Sequence, residues 1–314
     1  MDLQDDIIYP LIQASKYGDT ETVLKLLKKK KTDVNVKDDK GYTALMWASV
    51  RGYKEIASML IKKGADVNAW NNDGDTALIY ASGNRHIEIL SMLLVKKADV
   101  NVGRGRNREG DTALMWASSN GYVNVVLMLL NNGANVNAKT EFGKTALHRA
   151  CETGKYDIVL ILLERGADVN AKNQVGNTAL ILATLFMNIH KHAETKLLVS
   201  ILLDKGADVN AKNSYPIFDR TTEEIVRYQS NASLGYACRH KNTEIVEMLL
   251  DAGADIVYKE DEKSDFLKSI VEKRNRIREI NITSLVIKKG LTKNNEPLMQ
   301  KAQSETIYHI ASFF

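Results

Sequence analysis

The residues of this 314-residue chain that could do chemistry are few and scattered. Cys151 and Cys238 are the only cysteines. Two thiols make no disulfide framework, and neither has the second thiol or the histidine spacing of a zinc site. They are expected to be reduced and buried. Among the six histidines, His190 and His192 lie two apart, which on a helix points them roughly 200° from one another, so a shared metal is not expected. Gly-x-Ser-x-Gly, His-Glu-x-x-His and the dinucleotide-binding glycine pattern are all missing. The carboxylates stand mainly at turn and cap positions, where structure accounts for them. The chain therefore reads as non-enzymatic, with no cofactor and no metal. One loop has binding chemistry: Gly103-Arg-Gly-Arg-Asn-Arg108 offers three guanidinium forks for a carboxylate or phosphate, or is simply a surface loop. It lacks the Lys-Ser or Lys-Thr ending of a phosphate loop.

Composition narrows the class of molecule. At 44% apolar and 26% charged residues the chain is globular, and its three prolines leave few helix breakers. A formal net charge of +4 calls for neither nucleic acid nor an anionic membrane as partner. No stretch reaches the roughly 18 apolar residues of a membrane span. Met1-Asp-Leu-Gln-Asp-Asp is acidic where a secretory signal is basic and then apolar. A cytoplasmic location is expected, with secretion as an effector acting on a host kept as a further reading.

The elements that would position these residues recur. The threonine of a Thr-Ala-Leu tripeptide stands at Thr43, Thr76, Thr112, Thr145 and Thr178, at gaps of 33, 36, 33 and 33. Val-Asn pairs begin at Val34, Val67, Val100, Val136, Val169 and Val209, at gaps of 33, 33, 36, 33 and 40. Two independent markers sharing one period define a repeat array. Within one unit, Asn72-Asp-Gly-Asp is a turn cluster. Thr76 caps a short helix predicted over Ala77 to Gly83, and Ile87-Glu-Ile-Leu-Ser-Met-Leu-Leu has the apolar spacing of a second helix. Ala77, Ala81 and their equivalents let the two approach closely. Gly-Ala-Asp-Val-Asn, as at Gly64 and Gly166, suits a helix C-terminus followed by an extended return.

Thr145-Ala-Leu-His148-Arg-Ala, Gly154, Ile158-Val-Leu-Ile-Leu-Leu163 and Gly166-Ala-Asp-Val-Asn-Ala resemble the ankyrin repeat. The resemblance implies an all-α solenoid of stacked helix-turn-helix units with β-hairpin fingers and a concave groove. It also implies a partner that is another protein. About nine units are expected in a single solenoid spanning 1–314: an N-terminal cap over 1–36, central repeats over 37–258, and degenerate repeats or a cap over 259–314. A separate effector tail is the alternative for the last segment. Insertions fall near 103–108, 185–194 and 214–228. The second suggests lengthened helices, the third a docking element or a segment folded back on the stack. A monomer is expected, with charge spread unit by unit and local clusters on the fingers. Lys28 to Lys31 sit where cations complement a helix C-terminus; a nuclear-targeting or nucleic-acid motif is the other reading.

One column of residues has the character of a binding site. Two after the Leu of Thr-Ala-Leu stand Trp47, Tyr80, Trp116, Arg149 and Leu182, which stacking sets side by side. The resemblance places Trp47, Tyr80, Trp116 and Arg149 on the concave surface, flanked by the finger residues Trp70, Asp73, Asp75, Arg108, Glu109, Asp111, Glu141 and Phe142. These residue types are enriched among interface hot spots. They serve equally as padding between neighbouring repeats, and both readings stand. The signature histidine is present only as His148; Ile12, Met46, Ile79, Met115 and Ile181 occupy its place elsewhere, so apolar contact is expected to replace its bond to threonine. Partner capture is the leading function, with regulation or inhibition of one enzyme as the alternative.

Overall fold

The computed structural model describes residues 10–103, 110–187, 192–213, 217–218, 225–226, 232–256 and 265–277. They fall into two compact units, 1–207 and 208–314. The first contains six helix pairs: α1 (Pro10–Tyr17) with α2 (Thr20–Lys28), α3 (Ala44–Arg51) with α4 (Lys54–Lys62), and α5 (Ala77–Gly83) with α6 (Ile87–Val95); then α7 (Ala113–Asn120) with α8 (Val123–Asn131), α9 (Ala146–Glu152) with α10 (Tyr156–Glu164), and α11 (Ala179–Leu185) with α12 (His192–Asp204). The odd-numbered helices form an inner row in which each packs on the next, and the even-numbered helices form an outer row. The core is therefore shared between neighbouring pairs, as in any linear repeat stack.

Local chemistry explains why each pair forms. Thr43, Thr76, Thr112, Thr145 and Thr178 all cap inner helices, their hydroxyls accepting the amide three residues on at 3.3–3.4 Å. Alanines such as Ala48, Ala81, Ala117 and Ala150 are fully buried, so the helices meet at short range. Four of the outer helices begin differently. Tyr53, His86, Tyr122 and Lys155 occupy their N-cap positions without a side-chain cap bond; three of them lie instead against a glycine of the preceding repeat. A Cβ on Gly52, whose φ is 79°, would come within 2.6 Å of the His86 ring; Gly18 and Gly121 stand in the same relation to Tyr53 and Lys155. Arg85 and Lys241 replace that glycine, at φ 60° and 50°, and the Arg85 guanidinium lies 5.7 Å from the Tyr122 ring centroid, a cation–π contact that offsets part of the backbone cost.

The asparagine of most Val-Asn pairs proves to be a rung between repeats. Asn35 Oδ1 accepts from Asp66 N–H, Asn68 from Asp99, Asn101 from Asn135 and Asn137 from Asp168, all at 2.7–2.8 Å. The fingers are short: tight turns closed by a narrow pair such as Asp38 N–H to Tyr42 O at 3.0 Å and Asn71 N–H to Asp75 O at 3.0 Å. Asn71 Oδ1 also accepts from Asp73 and Asp75 N–H. Adjacent fingers join through their backbones, Asn72 N–H to Lys40 O at 3.0 Å and Gln174 N–H to Phe142 O at 2.9 Å.

The second unit has an antiparallel pair, β1 (Ile217–Phe218) with β2 (Ile225–Val226), then α13 (Ala232–Arg239), α14 (Thr243–Asp251) and α15 over 265–277. Asn210 repeats the rung, accepting from Asp255 N–H at 2.8 Å. Leu267 and Ile270 of α15 are buried, and Arg274 donates to Glu247 O at 3.1 Å.

The all-α repeat architecture holds. Of the insertions, 104–109 and most of 214–228 lie outside the described residues, as do His190 and everything beyond 277, where the last degenerate repeats were expected. Lengthening in the second insertion falls on the outer helix: α12 has 13 residues where α10 has 9. Cys151 and Cys238 are buried and free, and burial raises the Cys151 thiol well above its ordinary range. Among the described residues no helix is long and apolar enough to cross a membrane.

Candidate functional site

The first unit gathers the predicted column along its inner helices and splits it into two chemically different ends. At one end, Tyr42, directly before Thr43, stacks on Trp47 with centroids 4.8 Å apart and on Tyr80 at 5.6 Å. The Tyr42 and Tyr80 hydroxyls are 2.6 Å apart, Tyr80 donates to Asp75 Oδ2 at 3.0 Å, and Asn71 Nδ2 donates to the Tyr80 hydroxyl at 2.9 Å. Trp47 Nε1 donates to Asp38 Oδ2 at 3.1 Å, and the Lys16 ammonium stands 4.9 Å from the Trp47 ring. Burial first, then the Tyr42 bond and the Asp75 charge, push the Tyr80 phenol far above its ordinary value. These rings are half-buried and fixed by one another.

At the other end the same position is ionic. Arg149 forks onto Asp111, Nε to Oδ1 at 3.0 Å and Nη2 to Oδ2 at 2.9 Å. Its Nη1 reaches Glu152 at 3.3 Å, and Lys144 meets the other oxygen of Glu152 at 3.2 Å. Beneath them His148 Nδ1 lies 2.8 Å from the Thr145 hydroxyl, and Nε2 lies 3.0 Å from Asn177 O. Burial lowers the His148 pKa, outweighing the Asn177 bond and the Glu152 charge, which raise it. Between the ends, Trp116 lies against Gly83, where a Cβ would meet the ring at 3.2 Å.

The structure therefore brings Tyr80 to Asp75 and Arg149 to Asp111, while Leu182 is buried. Trp70 and Phe142 point outward, 54% and 48% exposed. Lys37 holds the base of Trp70, its ammonium 2.7 Å from Trp70 O and 5.2 Å from the ring. Glu141 is exposed, Asp73 half-buried, and Gln174 Nε2 donates to Glu141 O at 2.6 Å. Arg108 and Glu109 lie outside the described residues. Tyr42, Asp38, Lys16, Glu152 and Lys144 were not singled out from sequence. A signal existed for Tyr42: it heads a second column, Tyr42, Asp75, Asp111, Lys144 and Asn177. Both Tyr42–Tyr80 and Asp111–Arg149 span 38 residues. One expectation needs correcting: Met46 does not replace the histidine by apolar contact alone, because its sulfur lies 3.4 Å from the Thr43 N–H and accepts from it. Soft thioether acceptance keeps the polar link.

Family models for ankyrin repeats match residues 11–104, 101–173, 175–214 and 233–261. The chain is similar to one in the solved structure of a predatory endopeptidase from Bdellovibrio bacteriovorus in complex with an immunity protein. Identity is 31% and the TM-score 0.55, over 60% of this chain and 96% of that one. No curated protein matches. Solved chains that match number 588, so shape by itself singles out no partner.

Proposed function

This chain belongs to the ankyrin-repeat family, and on that premise we propose that it captures a partner protein with the fingers and inner helices of its first unit, without chemistry of its own. The observation that carries this is the outward display of Trp70 and Phe142, 54% and 48% exposed, on fingers each tied backbone to backbone to one neighbouring finger. Large aromatics on a rigid support lose little entropy on docking and are common hot spots. The half-exposed faces of Trp47 and Tyr80 extend the surface, and Asp73 and Glu141 flank it. Arg149 and Asp111 already satisfy each other and serve to hold the support in shape.

The test is capture of partners from lysate by the full chain and by Trp70→Ala with Phe142→Ala, at matched concentration and with thermal unfolding as control. Each truncation should weaken binding about thirtyfold, the equivalent of about 2 kcal/mol, with melting unchanged. Equal capture by the double variant sinks the proposal. A second reading, that the partner is an enzyme held inactive, is favoured by the similarity to a chain from an endopeptidase–immunity protein complex. It requires that adding the chain lower the activity of an endopeptidase from the same source; undiminished activity at saturating chain rejects it.

A further inference from the structure

Eight lysines gather at the outer-helix ends of three consecutive repeats: Lys28 to Lys31 at the end of α2, Lys62 and Lys63 at α4, and Lys96 and Lys97 at α6. All are exposed, and none is ion-paired with a described residue. The three helices pack side by side, and the Asn35 and Asn68 rungs lock the loops that follow them, so the ammonium groups form a held ridge. The carboxylates of the same loops, Asp33, Asp66 and Asp99, are fewer, and each accepts an amide of its own turn. The clusters expected on the fingers are thus joined by one at the outer-helix ends.

Complementing helix dipoles does not account for the ridge. The later outer helices have the same dipole, yet they end in Asn131-Asn132, Glu164-Arg165 and Asp204-Lys205, which carry no net charge. Lys97 adds an independent sign. It holds φ 58° at the position where Gly64, Gly133, Gly166 and Gly206 hold φ 82–87°. Glycine is unstrained there and lysine is not, so the charge is kept against a backbone cost.

The residue type selects the occupant. Protein interfaces enrich arginine and deplete lysine, whereas lysine clusters of this size suit the diffuse negative field of an acidic bilayer. Apolar side chains stand on the same helices: Val95, directly before Lys96, is 76% exposed and Leu24 43%, placed to enter the boundary between headgroups and acyl chains. We infer that this ridge docks the protein peripherally on an anionic lipid surface. The whole-chain charge of +4 conceals it because the compensating acids lie elsewhere.

The test is cosedimentation of the full chain with phosphatidylcholine vesicles, alone or mixed with phosphatidylserine, over a range of salt. The chain should bind the mixed vesicles, release as salt screens the field, and ignore phosphatidylcholine. At roughly fivefold per lysine, Lys62→Gln, Lys63→Gln, Lys96→Gln and Lys97→Gln together should weaken binding by about six hundredfold. Absent or charge-independent vesicle binding overturns the inference, as does unchanged binding by the variant. Preference for duplex DNA or polyglutamate over the mixed vesicles also overturns it. The variant leaves Trp70 and Phe142 intact, so partner capture and lipid docking fail separately.

Discussion

The repeat containing Trp47 and the repeat containing Arg149 share a backbone and differ in what fills it. Thr43-Ala-Leu-Met-Trp-Ala and Thr145-Ala-Leu-His-Arg-Ala each set a side chain beside the preceding or following repeat in a slot defined by a separation of 38 residues. Near Trp47 the slot holds a tyrosine pair; at Arg149 it holds a guanidinium on a carboxylate. The repeat fixes where two side chains meet and leaves open how they attract. Aromatic pairs contribute about 0.5–1.5 kcal/mol beyond burial and withstand the loss of one polar atom. A poorly hydrated ion pair contributes little net, but removing one member strands the other.

That contrast sets the order of expected effects. Arg149→Ala takes the guanidinium away from Asp111 and Glu152, with side chains 12% and 17% exposed, while Lys144 stays on Glu152, and should destabilise by about 3 kcal/mol in urea unfolding. Arg149→Lys should recover less than half of this, since lysine lacks the fork. A loss under 1 kcal/mol would show that the ionic end is as tolerant as the aromatic one (about the size of one neutral hydrogen bond).

His148 separates the two repeats by pH. Its folded pKa lies below the ordinary 6.5, so the unfolded chain binds the proton more readily. Stability is complete above that value and declines as pH falls below it, by at most about 1.4 kcal/mol per pH unit. His148→Met, which copies the repeat of Met46, should flatten the decline relative to wild type between neutral and mildly acidic pH. An unchanged slope would assign it to other groups. Tyr80→Phe removes the hydroxyl shared by Tyr42, Asp75 and Asn71 and should cost about 1 kcal/mol. Combined with Tyr42→Phe in a double-mutant cycle, it should be less than additive. Strict additivity would mean that the stacked rings do not communicate through their hydroxyls. The smallest effect belongs to Lys16→Met, about 0.5 kcal/mol from the lost contact with Trp47; a larger loss would give that lysine a role the ring contact does not supply.

Much of this was legible in the sequence. The helix from Ala77 to Gly83 emerges with the boundaries read from Thr76 and Gly83, because a hydroxyl cap and a local apolar pattern are decided within one turn. The column of Trp47, Tyr80, Trp116 and Arg149 was found because equivalent positions recur. Its pairings were not, although Asp111 was named as a finger residue, because Tyr42 and Asp111 belong to a different column, and only the stagger between repeats brings the two together. The rungs were missed for a similar reason. Val-Asn looks locally like the start of an extended segment, while the asparagine side chain acts 31–34 residues away. Of the lysine ridge only Lys28 to Lys31 stood out in the sequence, as one helix end, because the other pairs join them only where α2, α4 and α6 lie side by side.

The asparagine rungs have a consequence for how such a chain lengthens. Each rung at Asn35, Asn68, Asn101 and Asn137 presents the same acceptor to the repeat that follows and meets an amide at the same position there, so these four joins are alike. A gene segment encoding one whole period could be copied in place and its product would meet compatible neighbours on both sides. A copy of half a period would not. The array is thus written in interchangeable modules, free to gain or lose members while single positions such as Trp70 or Arg149 diverge to suit what is bound.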